Sequence, residues 1–323
     1  MRVERVISSK NRKYLLLKSA FKDLASRLKT ILVMNRGQML SLFKIEKKEF
    51  QYEIGLAVIV KNEALYILEW IEYHKLIGVG KFYIFDNDSN DDLDSLLAGY
   101  IKNGLVELIK VHGQGKQLEA YNAAIQKSKN SVRWLGVIDA DEFIQVMNGK
   151  SLSDFLRTYK NVGILIGWMI FGSSGNQHFE NRMVIERFTH RANNDFIADH
   201  KMIFNPRKAL RFVNPHYTQM LGRVVDERRQ NIYSYPYISN IEAQPSSKEI
   251  IRVNHYYTKS LDEFFEKSNR GYADLPDSQG IRKKRSIHDF TEHDRNEITD
   301  ESMLKYVSKV RENILSYKHE NGM

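Results

Sequence analysis

The stretch WLGVIDADEFIQV, residues 134–146, carries an apolar run straight into three carboxylates. Trp134, Leu135, Gly136, Val137 and Ile138 read as a buried strand. Asp139, Asp141 and Glu142 follow at its carboxyl end, and Phe143 comes after them. Like charges at close range repel, and taking them out of water is costly. A chain that gathers such acids needs a compensating positive charge, and a divalent cation is the first candidate. Residues i and i+2 of an extended segment face one side. Asp139 and Asp141 are therefore expected to hold one hard cation, Mg²⁺ or Mn²⁺, with positions left open for phosphate oxygens. Glu142 is expected to face elsewhere, toward a basic partner, and Phe143 to pack beneath the strand. A lone D-x-D is also common in solvated acidic turns, so its neighbours decide its meaning.

Upstream, IGLAVIV at 54–60 is a second β-rich run, followed by Lys61, Asn62 and Glu63. EALYILEWIEYHKLIGVG then has helical spacing, with Leu65, Leu68 and Ile71 expected on the core side and Gly78 and Gly80 as terminators. KFYIFDNDSNDDL gives a further strand and an acidic turn, and LVELIKV at 105–111 another strand. A helix is expected over about 117–128 before the strand WLGVI. Strands alternating with helices at this spacing indicate parallel βαβ units, in which ligands collect at the carboxyl ends of strands. The polar clusters at 61–63, 86–92 and 139–142 all fall there. The fold class is therefore α/β, a Rossmann-like sheet flanked by helices.

Past residue 150 the order is harder to read. NVGILIGWMIFG (161–172) and HKMIFNP (200–206) look like strands, the second stopped by Pro206. RVNHYYTKSLDEFFEKSNRG joins a strand end to a helix with Ser260 as N-cap and Glu263 at the capping-box position. His255 lies at that strand end, where a neutral imidazole can serve as a third metal ligand; a lone histidine is more often structural. Asp86, the first carboxylate after its strand, can accept a hydrogen bond from a ribose hydroxyl or base N–H. Asp91 and Asp92 suit capping.

The chain has 323 residues and no cysteine, so disulfides and thiolate metal sites are excluded. With 42% hydrophobic residues it can build a real core. No apolar run is long enough to span a membrane, and no secretory signal is expected. The net charge of +9 has a telling distribution. Residues 1–50 hold 13 Lys/Arg and 4 Asp/Glu, leaving 36 of each sign in the remainder. All of the excess therefore belongs to an N-terminal helical extension. There Leu15, Leu16, Leu17, Phe21, Leu24, Leu28, Ile31 and Leu32 recur at helical spacing. An acidic partner is implied, and the interleaved apolar residues favour an anionic membrane surface over nucleic acid. The alternative is a helix docked on its own domain. The expected layout is a basic extension over 1–50, a main domain over 51–275, and a polar, helical tail over 276–323 with a loose stretch at 276–300. The expected location is cytoplasmic, peripheral on the inner face of the membrane.

The ordered set KNEALYILEWIEYHKLIGVGKFYIFDNDSNDDL, QLEAYNAAI and WLGVIDADEFI resembles glycosyltransferases of the GT-A fold, and more narrowly the family-2-like and family-92-like group. FGSSG at 171–175, HKMIFNP, NPH at 214–216 and NHYYTKSLDEFFEKSNRG continue the resemblance, which covers about 54–272. It implies a GT-A sheet whose first half binds a nucleotide-sugar, UDP-linked by expectation. Lys61, Asn62, Glu63, Asp86, Gln117, Asn122 and Asp139 then line the donor, and Asp139, Asp141 and His255 hold Mn²⁺ or Mg²⁺. Lys259, Lys267 and Arg270 would meet phosphate. The resemblance also implies inversion at the sugar, onto a glycan or lipid-linked acceptor. Candidate bases are Glu180, Asp195 and Asp199, with Trp168 and FGSSG toward the acceptor. Two alternatives stay open: a membrane-surface binding protein with an inactive GT-A-like domain, and a nucleotidyltransferase, for which KNEALYIL lacks a glycine-rich phosphate loop.

Overall fold

A computed structural model describes residues 9–34, 39, 49–196, 198–232, 247–269 and 285–323. Residues 1–8 of the basic extension, Arg270 and the polar stretch 276–284 lie outside the described residues, as do the side chains of Leu15 and Leu16.

Helix α1 (Ser9–Leu32) precedes the main domain. The first half then alternates as expected: β1 (Tyr52–Val60), α2 (Ala64–Leu76), β2 (Lys81–Asn87), α3 (Leu93–Lys102), β3 (Val106–Val111), α4 (Gln117–Ser128) and β4 (Val132–Val137). Strands β1–β4 pair in parallel in the spatial order β3-β2-β1-β4. Seven of the nine residues of β1 are buried, as a central parallel strand requires. Gly78, at φ +105°, makes the left-handed turn that releases the chain from α2 toward β2.

The second half closes the sheet with mixed pairing. Its first elements are β5 (Glu142–Val146), α5 (Leu152–Arg157), β6 (Gly163–Ile170), α6 (Val184–Arg187), β7 (His190–Arg191) and β8 (His200–Phe204). The hairpin β9 (Ala209–Asn214) and β10 (Tyr217–Met220) follows, then β11 (Val224–Asp226), β12 (Ile251–His255) and α7 (Leu261–Asn269). Strand β8 lies antiparallel between β4 and β6, and β12 runs parallel to β6 and antiparallel to β5. Among the described residues this gives a nine-stranded sheet ordered β3-β2-β1-β4-β8-β6-β12-β5, with β11 beside β6.

Two expectations change. Leu65 is 57% exposed rather than in the core. Its neighbours Tyr66, Ile67, Leu68, Trp70, Ile71 and Tyr73 are buried, because α2 is covered on more than one face. The C-terminal segment holds α8 (Ile287–His293), β13 (Ile298–Thr299) and α9 (Leu304–Glu320), and α9 supplies the cover, with Tyr306 set edge-on to Tyr73. Residues 285–323 are built into the domain rather than trailing from it. Met303, Val310 and Tyr317 join the main core, and Tyr317 stacks on Tyr100 with ring centres 3.7 Å apart. Asp300 bridges Arg191 at 2.6 Å and Arg252 at 2.8 Å. A charged segment can pack this way because Asp300 meets the buried Arg252 and the half-buried Arg191.

A carboxylate-rich candidate active site at the sheet rim

The parallel strands β1, β2 and β4 end at one rim. Strand β8 runs the other way, so its first residues reach the same rim: Val137 of β4 pairs with Met202, placing Lys201 and His200 opposite the turn after β4. The register of β12 against β5 sets His255 beside Glu142. Residues distant in sequence thus converge on the D-x-D.

The DADE segment is not extended. The Glu142 N–H donates to Asp139 O at 3.1 Å, closing a tight turn between β4 and β5. The three acids consequently have different partners. Asp139 accepts from Lys201 Nζ at 2.8 Å on Oδ2, and from Tyr121 OH at 2.8 Å and Gln117 Nε2 at 3.3 Å on Oδ1. Burial works against its charge, but Lys201 outweighs that and holds Asp139 below the ordinary aspartate value. Glu142 folds under the turn, accepting the Asp139 N–H at 3.0 Å and lying 3.6 Å from Lys201 Nζ. Burial pushes its carboxyl well above the ordinary glutamate value. Asp141 faces β12 and α7: its Oδ2 accepts from Lys267 Nζ and lies 3.6 Å from His255 Nε2. Despite burial, Lys267 and then His255 hold it well below the ordinary range.

The compensating charge in this arrangement is therefore lysine. Lys201, only 1% exposed, serves Asp139 and Glu142; burial alone would lower its pKa, but the two acids hold it above the usual lysine value. The fit of a divalent cation differs between the two aspartates. Asp141 and His255 offer a carboxylate and, 3.6 Å away, an imidazole Nε2, a pair that suits Mn²⁺ better than the oxygen-preferring Mg²⁺. Lys267 shares that carboxylate, but its side chain is 24% exposed on a flexible stem and can yield its place. Asp139 has both oxygens engaged by buried donors. Among the described residues, the only three acids or histidines with ligand atoms within 4.8 Å of one another are His288, Asp289 and Glu292, along a single helix. Asp289 there completes the α8 capping box.

Asp199, Trp168 and His216 complete the rim. The Trp168 ring lies 4.2 Å from His255 and 5.2 Å from His216, and its N–H is buried without an acceptor. Asp199 Oδ1 is 3.1 Å from His200 Nδ1, and Oδ2 is 3.5 Å from His216 Nε2. Burial opposes its charge, yet these contacts hold Asp199 at about 2. Burial, reinforced by Lys201, lowers His216 to about 4, leaving it neutral at pH 7. Of the three candidate bases, the structure brings only Asp199 to the D-x-D rim. Glu180 pairs with Arg182 at 3.3 Å on the surface, and Asp195 is exposed.

The remaining expected donor residues divide. Asn62, at φ +55°, accepts the Asn90 N–H at 2.9 Å, while its own N–H donates to Ser89 Oγ, so it stitches the β1 and β2 loops. Asp91 accepts the Ala64 N–H at 2.8 Å, serving the start of α2. Asp86 is buried, accepting from Ser89 N–H at 3.0 Å and Lys110 Nζ at 2.7 Å. Lys61 lies near Asp88, and Glu63 near Lys259. Gln117 reaches Asp139, but Asn122 faces away and accepts the Phe212 N–H at 3.0 Å, pinning β9 to α4. FGSSG is covered by the C-terminal segment: Ser174 N–H donates to Asn296 Oδ1 at 2.8 Å, and a Cβ on Gly172 would sit 2.4 Å from Arg295 O. Spacing alone did not disclose Lys201, Tyr121 or His216 as parts of the rim. The one available signal was a lysine inside the apolar HKMIF run.

A buried clamp fixes α7. The expected capping box is present, with Ser260 N–H donating to Glu263 at 3.1 Å. Glu263 also accepts a bidentate pair from Arg187 at 2.7 and 2.8 Å and Tyr66 OH at 2.7 Å. Burial alone would raise its pKa, but Arg187, Ser260 and Tyr66 lower it from 4.5 to about 2. A depressed carboxyl stabilises the fold above its unfolded pKa and ceases to do so as pH falls through the folded value. Stability should therefore decline as pH drops from 4.5 toward about 2. Glu263→Gln should remove that share of the acid slope in thermal unfolding; an unchanged slope would exclude the clamp as its source.

Parallel strands ending in acids, closed by an antiparallel strand bearing a buried lysine and by a strand ending in histidine, form a mixed α/β domain of the GT-A type. The profile of glycosyltransferase family 92 matches residues 56–290, and the chain belongs to that family. It is 26% identical to a glycosyltransferase family 92 protein of Ricinus communis over 234 residues, 70% of this chain and 39% of that protein. A family 92 protein of Oryza sativa is 30% identical over 144 residues, 43% of this chain and 24% of that protein. The chain thus spans well under half the length of these relatives. Among solved structures, S. aureus TarS 1–349 is similar with a TM-score of 0.36 and 11% identity, covering 70% of this chain and 68% of that one. Glucosyl-3-phosphoglycerate synthase from Mycobacterium tuberculosis, in complex with Mn²⁺ and UDP, gives 0.26 and 18% identity, covering 36% and 44%.

Proposed function

We propose that this chain transfers a sugar from a nucleotide-sugar, UDP-linked by preference, to a hydroxyl of a glycan or lipid-linked acceptor. The observation that carries this is the convergence of Asp139, Asp141, His255, Trp168 and Asp199 on the rim where β1 and β2 also end. The acceptor oxygen attacks the anomeric carbon, the bond to the diphosphate oxygen breaks, and the configuration inverts. Asp199, ionised at neutral pH, takes the hydroxyl proton, with His216 beside it. Trp168 offers its ring to the acceptor sugar. Asp141 and His255 are the groups that would hold Mn²⁺ or Mg²⁺, and such an ion offsets charge developing on a diphosphate. Lys267 and the buried Lys259, which sits over the Tyr66 ring and near Asp141, add positive charge on the same side.

On the donor side, Asp86 supplies the nucleoside contact, since a carboxylate has lone pairs beyond the two it uses here. Asp86→Ala should weaken UDP binding in calorimetry by roughly ten- to a hundredfold, the loss of a hydrogen bond to a charged group. Lys110 keeps Asp94 as a partner at 2.7 Å, so the substitution should not strand a cation. An unchanged dissociation constant would move the nucleoside off Asp86. A screen of nucleotide-sugars for hydrolysis and thermal shift tests the wider proposal. Absence of any response would favour a binding domain without transferase activity.

A further inference from the structure

Helix α1 docks on its own domain through its polar side. Thr30 Oγ donates to Gln219 Oε1 at 2.8 Å, Gln219 Nε2 donates to Ser26 Oγ at 2.5 Å, and Arg27 reaches Met220 O and Gly222 O. Asp23, Ser26 and Thr30 are buried against the β9–β10 side. The apolar side faces out: Leu17 is 72% exposed, Phe21 77%, Leu24 56%, Leu28 53% and Leu32 83%. At about 100° per residue these five share an arc of about 80°, opposite the docked residues. This orientation inverts what burial would select, since a helix that packs only to bury apolar surface turns its leucines inward. Exposed Lys18, Lys22 and Lys29 run along one flank of the stripe. The single acid of α1 is Asp23, which is paired with Arg27.

We infer that α1 is an interfacial helix, anchored to the domain by its polar side and presenting its apolar stripe to an anionic lipid surface. Charge decides the occupant. A second copy laid stripe to stripe would bring two lysine rows together with no acid opposite. An anionic bilayer supplies both acyl chains for the leucines and negative headgroups for the lysines, and a helix of this kind lies in the plane of the interface. The docking hydrogen bonds then fix how the domain sits on that surface. This inference is independent of the donor chemistry.

Sedimentation of the full chain with phosphatidylcholine vesicles, with and without phosphatidylglycerol, tests it. Binding is expected only with phosphatidylglycerol, and it should fall with added salt as the lysines are screened. The double variant Phe21→Glu, Leu28→Glu should bind at least about tenfold less, with its melting temperature and UDP binding unchanged because both side chains already face water. Three sedimentation results would overturn the inference. They are absence of binding by the full chain, equal binding to neutral vesicles, and retention of binding by the double variant. A dimer that Phe21→Glu dissociates would also overturn it and assign the stripe to a second copy.

Discussion

Lys201→Met should cost about 3–5 kcal/mol of folding stability at neutral pH, the range for removing one partner of a buried ion pair. Methionine keeps much of the apolar stem, so the loss isolates the charge. What remains is Asp139 and Glu142 in one turn, with the ammonium that lay 2.8 Å from one and 3.6 Å from the other gone. Water replaces it poorly on the inner side, where the Lys201 side chain is 1% exposed and that of Glu142 is fully buried, although Asp139 keeps 30% exposure at the rim. The cheapest response is protonation. Without the lysine, the folded-state pKa of Asp139 should rise above its unfolded value, so the destabilisation grows with pH through that range. The deficit should be largest at neutral pH and smaller near pH 4 (about the ordinary aspartate value). Urea unfolding of both proteins at the two pH values measures this. A loss under about 1 kcal/mol, equal at both, would mean that Lys201 does not neutralise the turn.

Asp141→Asn should lower transfer at least about a hundredfold, the scale for removing one preorganised electrostatic contact from a reacting centre. Asparagine preserves shape and removes the charge that faces both His255 and Lys267. Under the cation reading, the variant also loses affinity for Mn²⁺, which calorimetry detects without turnover. Wild-type activity in a chelator sorts the two sources of positive charge. If activity needs an added ion, Lys267 yields its place on Asp141. If activity survives chelation, Lys267 and Lys259 supply the positive charge at the rim. Full activity of Asp141→Asn would remove Asp141 from the chemistry under either reading.

How much of this could be read from the chain depends on whether the information is local. Strand β1, helix α4 and the parallel order of the first half follow from apolar runs and helical spacing, which are properties of neighbours in sequence. The capping box at Ser260 and Glu263 is equally local, because both partners lie within one helical turn. Asp139 and Asp141 were visible as a charged pair at a strand end for the same reason. Their partners were not. Lys201 reaches Asp139 only because β8 inserts antiparallel beside β4, a pairing that no local pattern specifies. The turn at DADE likewise replaced an extended segment and sent the two aspartates to different lysines.

The two ends of the chain make the same division. Composition placed all of the excess positive charge in residues 1–50 and interleaved it with leucines, but periodicity cannot say which side of a helix meets its domain. That was settled by hydrogen bonds that Arg27 and Thr30 donate to, and Ser26 accepts from, the β9–β10 hairpin and the turn after it. Residues 276–323 read as a polar, helical tail with a loose stretch at 276–300, yet Tyr317 stacks on Tyr100 and Asp300 neutralises Arg191 and Arg252. Sequence by itself determined the α/β class, the alternation of the first half and the acids at its strand ends, because hydrophobic period and turn chemistry act over a few residues. Tertiary structure alone decided which lysine compensates which acid, which candidate base reaches the rim and which face of α1 meets solvent, because those outcomes depend on strand order and register between segments far apart in the chain.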